Sequence, residues 1–200
     1  MKRIILASNS PRRKEILEQV GIQFEVIPST SDEESDKLDP IEMVQDISAM
    51  KAREVANRVD APSIIIGADT VVVHDGKVLG KPKDECDAKQ MLQALQNSSH
   101  EVFTGVTVIQ KELDEATGKM VDREITFADV SKVIIYPLSA AQIEQYVATK
   151  EPMDKAGAYA IQGKFAVYVK EIIGDYYNIV GLPISKLYNE LLDEGIDLFA

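Results

Sequence analysis

Ile4-Ile5-Leu6-Ala7-Ser8-Asn9-Ser10-Pro11-Arg12-Arg13-Lys14 is an apolar run that breaks into a polar turn and then into cations. The order reads as a strand, a tight turn and a helix. Ser10 suits the N-cap, and Pro11 suits the first helical position, where its missing N–H costs nothing. Such a helix aims free backbone N–H groups and its positive dipole end into the turn. Arg12, Arg13 and Lys14 crowd that same end, although cations favour the opposite one. A local rule broken in this way points to function, and the simplest function is holding a polyanion such as a phosphate chain.

Outward from this stretch, residues 2–7 read as a buried strand. Residues 11–20 read as a short helix with Ile16, Leu17 and Val20 on one face, stopped by Gly21. Residues 24–27 form a second strand, and 29–39 an acidic, turn-rich loop. Asp39 and Pro40 open a helix to about residue 59, with Ile41, Val44, Ile47 and Val55 as its apolar stripe. Residues 63–73 are strongly β-forming, and His74-Asp75-Gly76-Lys77 is a hairpin turn. A helix follows over 84–95. Two long strands, 100–110 and 121–136, flank a turn near Thr117-Gly118. Ser139 caps a helix to about residue 149. A strand over 165–173 and a helix over 183–192 close the chain. Hairpins interrupt the alternation of strands and helices, so the fold class is α/β with a mixed sheet.

The 200 residues suit one domain spanning 1–200, in one lobe or two. No apolar run approaches the roughly 18 residues of a membrane span, and the first residues turn polar at Ser8, too early for a signal peptide. A cytoplasmic protein without a membrane partner is expected. The lone Cys86 excludes an internal disulfide and a multi-cysteine zinc site. A net charge of −11 argues against binding a nucleic-acid polymer through a general basic surface. Against that acidic background, the grouping of Arg12, Arg13 and Lys14 stands out.

Three further polar sites interrupt apolar segments. Gly67-Ala68-Asp69-Thr70 lies between Ile64-Ile65-Ile66 and Val71-Val72-Val73. A carboxylate among so many β-branched residues is expensive to bury unless paired or bound to a cation. Asp69 therefore stands as a metal ligand, a general base toward water, or a turn residue capping backbone N–H groups. Gly80-Lys81-Pro82-Lys83-Asp84 is a loop whose lysines add cations and whose aspartate caps the next helix. Asp154-Lys155-Ala156-Gly157-Ala158-Tyr159-Ala160-Ile161-Gln162-Gly163 surrounds Tyr159 and Gln162 with small residues, as either a ligand approach or a packing seam. Neither a P-loop nor a G-x-G-x-x-G is present, and the only histidines are His74 and His100. A metal here would be a hard one, Mg2+ or Mn2+, held by carboxylates, with Asp69 first and Glu33 and Glu34 of the acidic loop next.

In these motifs, and in Asn178-Ile179-Val180-Gly181-Leu182-Pro183, the chain resembles the Maf family of nucleoside triphosphate pyrophosphatases over nearly its whole length. The resemblance implies an elongated mixed sheet with flanking helices and two lobes around a central cleft, like the Maf and inosine-triphosphatase group. It implies hydrolysis between the α- and β-phosphates with a divalent metal, and a homodimer. It assigns Asp69 as proton acceptor and the positions of Arg12, Thr70 and Gln162 to base selection. Ser8, Arg13, Glu33, Lys51 and Lys81 complete the expected site, with Glu33 beside Asp69 as metal ligand. Gln162 is similar to the dTTP/UTP branch, where related branches carry a serine-glutamate. Uracil and thymine offer an O4 acceptor beside an N3–H donor, which one amide answers, whereas guanine offers two adjacent donors, which suit a carboxylate. The alternatives are a regulatory nucleotide-binding module acting in cell division and a pyrophosphatase for modified nucleotides.

Overall fold

The computed structural model describes residues 3–32 and 34–199. Its seven strands are β1 (Ile4–Leu6), β2 (Glu25–Val26), β3 (Ser63–His74), β4 (Lys77–Leu79), β5 (Ser99–Asp114), β6 (Lys119–Ile135) and β7 (Val169–Ile173). The α-helices are α1 (Pro11–Gln19), α2 (Pro40–Ala56), α3 (Glu85–Leu95), α4 (Ala140–Ala148), α5 (Tyr176–Val180) and α6 (Ile184–Asp193). The strands form one sheet in the order β2-β1-β3-β5-β6-β7, with β4 on β3. β1 pairs parallel with β2 and β3, while β3–β4 and β6–β7 are antiparallel, so the sheet is mixed. Among the described residues no helix is long and apolar enough to cross a membrane.

The chain divides into two compact units. The first holds the residues up to Asp69, Thr104–Asp129 and those from Gly181 onward; the second holds Thr70–Phe103 and Val130–Val180. β3 passes from the first to the second between Asp69 and Thr70.

In the first unit, Ile5, Ala52, Val55, Val59, Ile65 and Ile109 form a buried cluster where α2 lies on the sheet. Each buried isoleucine or valine contributes about 1.5–3 kcal/mol from leaving water. The helix comes unusually close. A Cβ on Gly67 of β3 would stand 2.5 Å from the Ser48 carbonyl oxygen and 2.8 Å from the Ala52 nitrogen. A Cβ on Gly105 of β5 would stand 2.2 Å from the Val44 carbonyl oxygen. Two adjacent strands thus present bare backbone to α2, and the helix seats directly on it.

In the second unit, α3 packs on α4. An aromatic cluster lies in the same unit, with Phe165 ring centroids 5.0 Å from Tyr146 and 4.9 Å from Tyr159.

Most expected elements are present. The β3–β4 hairpin turns through Asp75 and Gly76, both at positive φ (47° and 71°), as a type I′ turn requires. Asp39, Asp84 and Ser139 cap their helices through their side chains. Ser10 occupies the N-cap of α1, but its side chain makes no capping bond. Three expectations need correction. Residues 165–168 belong to a 3-10 turn, Lys164–Tyr168, and only Val169–Ile173 is strand. Packing Phe165 among the rings wins over β propensity, and Val167 is left 75% exposed. Ile41 lies in the first turn of α2 and is 40% exposed, so the buried stripe begins at Val44. Finally, α5 forms where no helix was expected.

Candidate active site

The register of β1 on β3 explains why two of the polar motifs meet. Leu6 pairs with Ile66, and the Ala7 N–H donates to the Ile66 carbonyl at 2.8 Å. The turn after β1 and the Gly67–Asp69 segment of β3, which runs on past the pairing, therefore lie at the same end of that parallel pairing. The region beyond the carboxyl ends of parallel strands is where open α/β sheets place ligands.

In that turn the Ser8 hydroxyl accepts from the Ser10 N–H at 3.2 Å and from Arg13 Nη1 at 3.1 Å. Arg13 Nε donates to the Gly181 carbonyl at 2.8 Å. The Arg13 guanidinium, 8% exposed, thus works from inside and ties Gly181 to the turn. Arg12 and Lys14 are half-buried neighbours on α1.

Asp69 is buried at the end of the first unit's share of β3. Lys51 Nζ donates to its Oδ1 at 2.8 Å. Lys51 shares a helix face with Val44, Ser48 and Val55, at successive spacings of four, three and four residues. Its place on the apolar face of α2 is the signal in the sequence from which its burial could have been read. Its reach to Asp69 depends on the close seat at Gly67, whose role sequence reasoning did not find. That the Gly181 carbonyl, within the Asn178–Pro183 motif, accepts from Arg13 was also missed, because a backbone acceptor has no side-chain signal.

The first unit thus brings Ser8 to Arg13, and Lys51 to Asp69. The second unit carries Thr70, half-buried on β3, Lys81, exposed on the loop after β4, and Gln162, exposed after two 3-10 turns, Glu151–Asp154 and Ala156–Ala158. The Gly157 N–H donates to the Gly80 carbonyl at 3.1 Å, which joins the Lys81 loop to the Asp154–Gly163 stretch. Glu34 is exposed, and Glu33 lies outside the described residues.

Tyr159 sits in the interior of the second unit, its hydroxyl 2.7 Å from His100 Nε2. Burial, then the neighbouring His74, lowers the His100 pKa to about 4. His74 Nδ1 lies 3.2 Å from the Ser99 carbonyl, next in sequence to His100.

Among the described residues no three of His, Cys, Asp and Glu gather into a metal cage. A magnesium-class ion needs only one or two carboxylates when substrate phosphates and water complete its shell. Asp69, with one oxygen on Lys51, fits that donor set.

Comparison with known proteins agrees with the motif reading. A dTTP/UTP pyrophosphatase of Lachnoclostridium phytofermentans is 51% identical over 198 residues, covering 99% of this chain and 98% of its own. One of Alkaliphilus metalliredigens is 50% identical over 188 residues, covering 94% and 93%. One of Agathobacter rectalis is 43% identical over 210 residues, covering 99% and 100%. The solved Staphylococcus aureus Ham1 protein aligns at 15% identity with a TM-score of 0.49, over 97% of this chain and 99% of that one. The family model described as Maf-like protein matches residues 3–194, and the chain belongs to that family.

Proposed function

We propose that this chain hydrolyses dTTP and UTP to the monophosphate and pyrophosphate. The observation that carries the reading is the buried carboxylate of Asp69, held by Lys51 on β3 just past its parallel pairing with β1. Family membership and the activity named for the relatives support it.

In this reading Asp69 orients the attacking water and takes its proton, while Lys51 fixes the carboxylate. Ser8, Arg12, Arg13, Lys81 and the N–H groups at the start of α1 hold the phosphates. With both bonds accepted by its oxygen, Ser8 has its proton left to donate to a phosphate oxygen. Charge spreads over the phosphate oxygens in the transition state, so positioned cations and N–H groups contribute most of the rate. Arg12, Thr70 and Gln162 select the base. A bound Mg2+ or Mn2+, held by Asp69 and Glu33, would supply further charge neutralisation at the phosphates. The same reading takes the chain as one cytoplasmic domain working as a homodimer, without nucleic-acid or membrane partners, in line with its net charge of −11.

The test is pyrophosphate release from UTP, dTTP, CTP, GTP, dGTP and 7-methyl-GTP, with Mg2+ or Mn2+ and with chelator. Metal-dependent release led by UTP and dTTP is expected. Release led by a guanine or methylated nucleotide would keep the reaction and overturn the substrate assignment. Binding without release would favour a regulatory nucleotide-binding module.

A further inference from the structure

Gln162 stands exposed at the tip of a turn whose two ends are held by side chains of the same unit. At one end, the Ala160 N–H donates to the hydroxyl oxygen of Tyr146, a buried residue of α4, at 3.1 Å. At the other, the Lys164 N–H donates to the Glu151 carboxylate, 3.0 Å to Oε1 and 3.2 Å to Oε2. The two holds are linked, because the Tyr146 hydroxyl donates to Glu151 Oε1 at 3.0 Å. Between them the Gly163 N–H closes the turn on the Ala160 carbonyl at 3.1 Å.

The packing is specific to this arrangement. A Cβ on Gly163 would lie 2.2 Å from Glu151 Oε1. The residue after Gln162 therefore leaves its side-chain volume to the Glu151 carboxylate. An ionised carboxylate makes stronger hydrogen bonds than a neutral acceptor, and here it spends them on one backbone N–H and one buried hydroxyl. Neither Glu151 nor Tyr146 belongs to the set assigned to the substrate. Both act on the main chain on either side of Gln162. An amide that must present its oxygen and its N–H in a fixed order to a pyrimidine edge needs its backbone held to within about half an ångström.

We propose that Glu151, acting with Tyr146, is a positioning residue for base selection: it clamps the 160–164 turn and thereby orients the Gln162 amide toward uracil and thymine rather than guanine. This rests on the role given to Gln162 under the proposed function.

The experiment measures kcat and KM for UTP and GTP in the wild type, Glu151→Ala, Glu151→Gln, Gln162→Ala and the Glu151→Ala/Gln162→Ala pair. Glu151→Ala is expected to lower the UTP-over-GTP ratio of kcat/KM about tenfold, equivalent to about 1.4 kcal/mol. The loss falls mainly on KM for UTP. Glu151→Gln keeps a carbonyl acceptor for the Lys164 N–H and restores most of the ratio. In the Gln162→Ala background, Glu151→Ala changes the ratio no further, because both act through one amide. Hydrogen exchange at the Lys164 amide rises in Glu151→Ala while the rest of the protein stays protected. If Glu151→Ala prevents folding, Tyr146→Phe, which deletes only the linking hydroxyl, carries the same comparison.

An unchanged ratio in Glu151→Ala, with the ratio lost in Gln162→Ala, overturns the clamp and leaves the role of Gln162 standing. An equal loss in both backgrounds also overturns it, because the effect then bypasses Gln162. An unchanged ratio in Gln162→Ala removes the role of Gln162, and the clamp's part in selectivity falls with it.

Discussion

Lys51 Nζ lies 2.8 Å from Asp69 Oδ1, and the two side chains are only 7% and 13% exposed. An ion pair so far from water is held by geometry, since desolvation offsets much of the Coulomb attraction. Removing one partner leaves a buried charge unpaired. Lys51→Met should therefore destabilise the fold by about 3 kcal/mol, whereas Lys51→Met with Asp69→Leu should recover most of the loss. Urea unfolding of the two variants checks this, and a double variant less stable than the single one contradicts it.

Asp69→Asn keeps the shape and removes the carboxylate. Its kcat should fall on the order of 10²-fold or more if Asp69 takes the proton from water. A fall below about tenfold assigns the proton to another group. Partial rescue by raised Mg2+ or Mn2+ would instead mark Asp69 chiefly as a metal ligand. Steady-state pyrophosphate release across a metal titration separates these outcomes.

Gly67→Ala meets main-chain atoms of α2 at 2.5 and 2.8 Å, which cannot rotate aside. The helix must lift from β3, at a cost of about 1–3 kcal/mol. Lys51 would then lose its reach to Asp69, so activity should fall together with stability. Parallel measurements of the urea midpoint and of kcat test the link, and unchanged kcat in a destabilised variant would break it.

Burial, then His74, disfavours the charge on His100 and pushes its pKa down to about 4 in the fold. Unfolded, it titrates near about 6.5. Between these values the unfolded chain binds the extra proton, so stability falls as the pH drops through that window. The expected loss from this residue is about 2 kcal/mol between about pH 7 and about pH 4.5. His100→Gln should show a shallower acid limb in urea unfolding by about that amount. Superimposable pH profiles would place the acid sensitivity elsewhere.

Gln162→Glu should move preference away from UTP and dTTP and toward guanine nucleotides, because a carboxylate accepts from two adjacent donors and offers none. Relative kcat/KM across the nucleotide panel is the readout, and unchanged relative values would refute it.

Local rules made much of the fold legible. Pro11 at the start of α1, the Asp75-Gly76 turn and the Ser139 capping box each act within a few residues, and each is found where expected. Asp69 was marked by its apolar flanks. The pairing of Asp69 with Lys51 spans 18 residues and depends on a glycine's missing side chain, which no local pattern encodes. The same holds for Arg13 and Gly181, 168 residues apart. At residues 165–168 the local pattern misled, because aromatic packing around Phe165 outweighed a β-favouring composition.

The Ser8 hydroxyl, with bonds already accepted from the Ser10 N–H and Arg13 Nη1, can only give. A group bringing an N–H or an ammonium to this oxygen would find both lone pairs taken, whereas an acceptor-rich group would find a proton left to accept. In the proposed site this would favour an acceptor over a donor independently of charge. That polarity would persist in high salt, where screening weakens the attraction of the nearby cations.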